Sequence, residues 1–274
     1  MTNDDKDLQA FSSSAVIPDR LNVPSGVTSA RLALGRAGSG MPTRSVLSFA
    51  LDHARARDAV HLPLDFDVLE QSCAGLRLEM VRVDSAAADR QSYLRRPDYG
   101  RRLSTGSREL LEARSRRPHD ILLVVGDGLS SIAVQAGAAT LLRSLVARLK
   151  AMKLSIGPLV LASQARVALS DEIGKVLGAR ASIMILGERP GLSAADSLGA
   201  YLTWKPGPYR TDADRNCVSN IRSGGLDPEA AAFKLSWLVE RAIALGLTGV
   251  QLKDESRPVQ LSLPSRPGYR DPNY

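Results

Sequence analysis

At 274 residues, 44% hydrophobic and only 4% aromatic, the chain can bury a full core as one large domain or two small ones and has the make-up of an α/β protein. A formal charge of +7 raises nucleic acid, but no aromatic ladder interleaves the arginine doublets and no zinc-finger spacing occurs, so an anionic ligand or acidic partner surface is expected instead. No apolar run approaches the ~20 residues that span a bilayer, the N-terminus has no secretory pattern, and Cys73 and Cys217 give neither a disulfide framework nor metal-ligand spacing; the expectation is a cytoplasmic protein with no membrane, nucleic-acid or metal role.

In chain order, residues 1–20 are polar and serine-rich and are expected to be disordered. Thr43 reads as the N-cap of a helix with Val46, Leu47, Ala50 and Leu51 on one face, ending near Arg57 before Pro63. Residues 76–83 alternate apolar and polar and predict a strand with one wet face. A loop from Tyr93 to Gly100 precedes a short helix over 108–114. Ile121 to Val125 is a short apolar run of the kind buried on both faces of a parallel sheet, and it runs into Gly126-Asp127-Gly128. The helix after it carries Ala138, Leu141, Leu142, Leu145 and Leu149 on one face. Gly157-Pro158 predicts a turn into a strand over 159–162, and Ser170 a cap for a short helix closed by Gly178. A second buried strand, 181–186, ends in Gly187-Glu188-Arg189-Pro190-Gly191, and Tyr201 to Trp204 predicts another. The segment from Lys205 to Gly225 reads as loop-rich. Asp227-Pro228 starts a helix that stops at Gly246, and the tail after Asp254 is proline-rich without periodicity.

Ligands of such sheets bind at the carboxyl ends of the strands, where both glycine turns fall. Gly126-Asp127-Gly128 begins like a dinucleotide fingerprint, but Ser131 stands where the third glycine would be, and Asp127 reads equally as a helix cap. Glu188 and Arg189 put an acid and a base between glycines at a strand end, either for a ligand or as surface ion pairs worth less than ~1 kcal/mol. Asp214 to Asn220 packs hydrogen-bonding groups densely around Cys217, and neither His53, His61 nor His119 can be placed beside that thiol as a base.

Six segments resemble the small (light) subunit of ethanolamine ammonia-lyase. They are Gly35-Arg-Ala-Gly38, Tyr93 to Leu103, Gly126 to Ser130, Asp171 to Gly174, Gly187 to Leu192 and Ala213 to Ile221, followed by Gly224-Gly225. Their order and spacing match over about residues 22–252. The resemblance implies an α/β fold with a Rossmann-like parallel sheet and flanking helices (101–256, cobalamin-binding), preceded by a smaller helical N-terminal region (21–100), with the disordered start before and the proline-rich tail (257–274) after. It implies adenosylcobalamin as cofactor, lying between this chain and a large barrel-shaped subunit that holds ethanolamine. The implied reaction is radical conversion of ethanolamine to acetaldehyde and ammonia, a carbon–nitrogen lyase activity seen only with the large subunit. The implied cofactor-binding residues are Val167, Glu188 and Cys217, with no catalytic residue on this chain; the family often has Tyr-Gly-Arg-Val where this chain has Gln164-Ala165-Arg166-Val167. Some members carry a longer N-terminal extension linked to packaging in a bacterial microcompartment; the start here is short, so a cytoplasmic protein is expected, with a microcompartment as the alternative. None of the three histidines lies in an Asp-x-His-x-x-Gly context, so the cobalamin is expected to keep its own dimethylbenzimidazole base. The competing readings are a dinucleotide-dependent oxidoreductase and a non-catalytic assembly protein.

Overall fold

The computed structural model describes residues 16–19, 21, 30–114 and 118–256. Most of the serine-rich start, the tail from 257 and the Arg116-Arg117 doublet lie outside the described residues. Where the start is described, Ile17 pairs with Arg36 through two backbone hydrogen bonds.

The fold is mixed α/β. Six strands form one sheet in the order β1-β3-β2-β4-β5-β6, where β1 is Met80–Asp84, β2 His119–Gly126, β3 Ile156–Ser163, β4 Ala179–Gly187, β5 Leu198–Trp204 and β6 Arg215–Ile221. The pairs β1·β3, β3·β2 and β2·β4 are parallel, while β4·β5 and β5·β6 are antiparallel. The parallel sheet expected from the buried runs therefore holds across β1, β3, β2 and β4 and is corrected for β5 and β6, which are antiparallel. Strands β5 and β6 are reached by loops, which permit antiparallel return, whereas β3 and β4 are reached through helices.

Side-chain alternation divides the core between the two faces. Ile121, Leu123 and Val125 of β2 pack with Leu141, Leu142, Leu145 and Leu149 of α5 (Ser131–Ala151) and with Leu235, Leu238, Val239 and Ala242 of α7 (Pro228–Leu245). Leu122 and Val124 point the other way, toward Leu111 of α4 (Thr105–Glu112) and Leu169 and Ile173 of α6 (Leu169–Val176). Each face of the sheet is thus covered by helices, which is why the strands read as continuous apolar runs. By length and composition α5 is one helix apolar enough to cross a membrane, yet nine of its residues are buried against sheet and α7, the placement of a core helix.

Several local expectations shift. Helix α1 (Thr43–His61) runs a turn past Arg57 and begins after Pro42 without a side-chain cap; Val46, Leu47 and Leu51 stay exposed, and only Ala59 of the helix is buried. The predicted strand over 76–83 starts late, because Ala74–Leu76 forms a 3-10 turn after α2 (Phe66–Cys73) and Arg77 adopts φ +54. The Tyr93 loop contains α3 (Arg90–Arg95), capped by Asp89, and α4 starts earlier than predicted, capped by Ser104. Gly157-Pro158 lies within β3 at a register shift opposite Ile121 to Leu123, where a missing proline N–H breaks no regular ladder bond. Ala168, not Ser170, precedes α6, and the Ser170 hydroxyl donates back to the Val167 carbonyl. The Asp227-Pro228 start and the Gly246 stop, at φ +70, stand as read.

Candidate functional site

The chain leaves β2 for β3 on one side and returns through α6 to β4 on the other, so the carboxyl ends of β2 and β4 flank the point where the strand order reverses. A hollow of about 460 Å³ opens there, lined among others by Gly128, Leu129, Val167, Gly187, Glu188 and Tyr201. Such a crevice is where open α/β sheets take ligands. A second cavity of about 540 Å³ is larger, but it sits at the amino ends of β2 and β3, between His119, Gly157 and the paired Glu79 and Arg114. Position in the topology favours the first.

Three loops build the hollow, and the two glycine turns interlock. Leu129 N–H donates to the Gly187 carbonyl at 2.9 Å. A Cβ on Gly187 would stand 1.9 Å from the Ser130 carbonyl oxygen, and one on Gly128, at φ +59, would stand 2.3 Å from that of Gly187. Only glycine allows this backbone contact. Ser130 then caps α5 by accepting from Ala133 N–H, while its hydroxyl donates to the Ala195 carbonyl at 2.6 Å.

Asp127, read from sequence as a possible helix cap, does something else. Its carboxylate is buried and accepts from Gln164 N–H at 3.1 Å and Ala165 N–H at 3.0 Å. It thereby clamps the loop after β3, in which Gln164 is held at φ +52. Burial pushes its carboxyl above the usual range, against the pull of Ala165 N–H and of Arg90. Arg90 Nη1 lies 3.3 Å from Asp127 and donates to the Gly128 carbonyl at 2.9 Å, tying α3 to the same junction. Tyr93 completes the wall. Its ring lies under the Arg90 and Arg166 guanidinium groups at 4.7 and 4.2 Å, and its hydroxyl donates to the Ala165 carbonyl at 3.0 Å.

Of the three expected site residues, Val167 and Glu188 line this hollow and Cys217 does not. Val167 is half-buried in the loop beyond β3. Glu188 follows β4 directly; its Oε2 accepts from the Ser197 hydroxyl at 2.5 Å and from Asn220 N–H at 3.3 Å. It forms no ion pair with Arg189, which is exposed on the rim. Cys217 was expected in a loop and instead lies within the edge strand β6, its register partner on β5 being Tyr201. Tyr201 lines the hollow, so it stands between the exposed thiol and the other two residues. The protein packed around Cys217 pushes its thiol up from the ordinary range, the Tyr201 hydroxyl works against this, and the Glu188 carboxylate adds to it. Burial, together with Cys217 and Glu188, raises the Tyr201 hydroxyl in turn.

Tyr201 and Ser197 were not singled out from sequence as site residues, whereas Tyr93 opens one of the resembling segments and Asn220 closes the polar run from Asp214. The antiparallel register that brings Ser197, Tyr201 and Asn220 toward Glu188 has no sequence signature, and Tyr93 reaches the hollow from α3. The arginine loop 95–102 folds as the end of α3 and a 3-10 turn, Tyr99–Arg101; Arg96 pairs with Asp98 and stacks on Tyr99, whereas Arg95 and Arg101 are exposed and make no ion pair among the described residues. Arg166 N–H donates to the Gly100 carbonyl at 2.8 Å, so this loop abuts the hollow. Among the described residues no cluster of three His, Cys, Asp or Glu could hold a metal ion.

Comparison with known proteins identifies the chain's relatives. Residues 18–253 match the family model described as Ethanolamine ammonia-lyase light chain (EutC). The chain is 53% identical over 243 residues to a protein of Bradyrhizobium diazoefficiens named ethanolamine ammonia-lyase small subunit, covering 86% of this chain and 93% of that one. Proteins of the same name from Rhodopseudomonas palustris (strain BisA53) and Azotobacter vinelandii are 50% and 47% identical, covering 84% and 86% of this chain and 88% of each relative. A family match over most of the chain, with the glycine turns of the hollow inside it, settles the kinship: the chain belongs to the ethanolamine ammonia-lyase light chain family.

Proposed function

We propose that this chain is the small subunit of an adenosylcobalamin-dependent ethanolamine ammonia-lyase and forms one wall of the cobalamin site against a large catalytic subunit. In this reading residues 101–256 form a Rossmann-like cobalamin-binding domain. Residues 21–100 form a helical N-terminal region that lends β1 to its sheet. The observation that carries the reading is the convergence of Val167 and Glu188 on the hollow at the strand-order reversal, with Tyr201 linking it to Cys217. The lining fits the group: Arg166, whose Nε is buried without a hydrogen-bond partner among the described residues, offers a donor on the same hollow as the Glu188 acceptor. A hollow of about 460 Å³ encloses at most a drug-sized ligand. A corrin with its amide fringe exceeds that, so a second chain must close the site.

When bound, adenosylcobalamin supplies the radical that abstracts hydrogen from ethanolamine. This chain's residues bind and orient: Glu188 accepts from amide N–H or ribose hydroxyl groups, Val167 and Leu129 offer apolar contact, and Tyr201 backs the Glu188 side. The complex is placed in the cytoplasm, free or within a bacterial microcompartment. A dinucleotide reading lacks its ribose-binding carboxylate, since β3 ends at Ser163 with Gln164 after it, and the Asp127 carboxylate is engaged by backbone.

The test is titration of the purified two-subunit complex with cyanocobalamin, followed by visible absorbance. A hydrogen bond to a charged acceptor is worth ~1.5–3 kcal/mol, and 1.36 kcal/mol is tenfold, so Glu188→Gln is expected to weaken binding by about 10–150-fold with the melting temperature unchanged. Full-strength binding by this variant removes Glu188 from the site; lower thermal stability with unchanged affinity makes it a structural residue.

A further inference from the structure

Glu188 is free to rotate about its side-chain bonds unless something fixes it, and a carboxylate that must meet a ligand gains from being fixed beforehand. Two neighbours do this, one just before β5 and one in β6. Ser197, itself 5% exposed, donates its hydroxyl to Oε2 at 2.5 Å, and Asn220 N–H, on a residue at φ +57, reaches the same oxygen at 3.3 Å. Oε1 has no hydrogen-bond donor among the described residues. The side chain then lies across β5 at Gly199: a Cβ there would stand 3.0 Å from Oε1, 3.2 Å from Cγ of Glu188 and 3.1 Å from the Tyr201 ring. Gly199 lies outside the left-handed region, in β5 opposite the register shift of β6, so no positive φ demands glycine there.

We propose that Ser197 and Gly199 are positioning residues for Glu188: the hydroxyl holds one carboxylate oxygen, and the bare α-carbon leaves the lane along which the side chain lies, so that the other oxygen faces the hollow. This rests on the reading of Glu188 as a cofactor contact and goes beyond it by naming what orients the carboxylate. The space at Gly199 is reserved for a functional side chain and not for folding. Alanine at a strand position is intrinsically no worse than glycine, so a stability role and a positioning role separate cleanly.

The experiment compares wild type, Ser197→Ala, Ser197→Thr, Gly199→Ala and Glu188→Gln in the reconstituted two-subunit complex, titrated with cyanocobalamin alongside thermal melts. Ser197→Ala and Gly199→Ala are expected to weaken binding by about 3–30-fold, Ser197→Thr to restore most of it, and the Gly199→Ala melting temperature to equal or exceed that of wild type. A double variant, Gly199→Ala with Glu188→Gln, is expected to bind no more weakly than the weaker single variant, since both act through one carboxylate. If Glu188→Gln weakens binding while Ser197→Ala and Gly199→Ala do not, the positioning role is wrong and the site stands. If Glu188→Gln itself binds at full strength, the reading of the site fails and the positioning role with it. Weaker binding accompanied by a matching loss of thermal stability in both Ser197→Ala and Gly199→Ala also overturns the proposal, because it assigns the two residues to folding.

Discussion

Cys217 faces outward from an edge strand opposite Tyr201, and Cys73 is 2% exposed, so the two thiols are chemically separable. The thiolate is the reactive form. Because packing and the nearby Glu188 carboxylate raise the Cys217 thiol, it stays protonated at neutral pH. Native alkylation with iodoacetamide is therefore expected to label one cysteine per chain, slowly at pH 7 and faster in alkali, with an inflection above that of an ordinary thiol. Tyr201→Phe removes the interaction that lowers the thiol and is expected to move the inflection further up. Peptide mass spectrometry across a pH series reads both; an inflection below the ordinary range would contradict the electrostatics described here. Within the proposed complex, the large subunit and cobalamin together are expected to protect this thiol.

At the scale of elements, a buried ion pair fastens α6 to the antiparallel end of the sheet. Arg215 of β6 grips Asp171 of α6 through both oxygens, at 2.8 and 2.6 Å, and also donates to Thr203 of β5 at 2.9 Å; both charged side chains are almost wholly buried. Breaking such a pair from one side strands a charge and costs ~3–5 kcal/mol. Asp171→Ala or Arg215→Ala is expected to lose stability on that scale in urea unfolding, while Asp171→Leu combined with Arg215→Met loses much less. A single variant within about 1 kcal/mol of wild type would show the pair is not desolvated as described. The same region shows where the sequence stops being legible. Strands β2 and β4 were readable because both faces are covered and their apolar runs are unbroken. Strand β6 was not, because Arg215-Asn-Cys-Val-Ser-Asn-Ile221 is an edge whose charged member is inward and whose exposed members are polar. Its inward arginine is explained chiefly by the buried Asp171, 44 residues away. The site divides likewise: its glycine turns are local and visible, whereas the clamp of Asp127 on the β3 loop and of Ser197 on Glu188 depends on parallel crossover and antiparallel register.

For the whole molecule, the proposed function makes this chain necessary but insufficient. Of the two carboxylates nearest the hollow, Asp127 holds backbone N–H groups, while one oxygen of Glu188 is held by Ser197 and the other has no donor among the described residues, an arrangement that the proposed function uses for binding. In the proposed function, the hollow needs a second chain to close it over a corrin. Acetaldehyde release from ethanolamine with adenosylcobalamin is therefore expected to be absent with this chain alone and to appear when the large subunit is added. The charged loop gives a second handle on assembly. Arg101 is exposed and makes no ion pair among the described residues, Arg102 reaches Asp98 only at 3.9 Å, and both lie on the loop that abuts the hollow through Gly100 and Arg166. A solvated connector gains nothing from such charges, while an interface facing an acidic surface gains attraction and faster association that salt weakens. The double variant Arg101→Ala, Arg102→Ala is expected to slow association with the large subunit and flatten its salt dependence, measured by surface plasmon resonance at two ionic strengths, without lowering the thermal stability of the isolated chain. Unchanged association together with unchanged cobalamin affinity would return the loop to the solvent. Turnover by the isolated small chain would end the two-subunit reading altogether, because nothing in its hollow could then be only a wall.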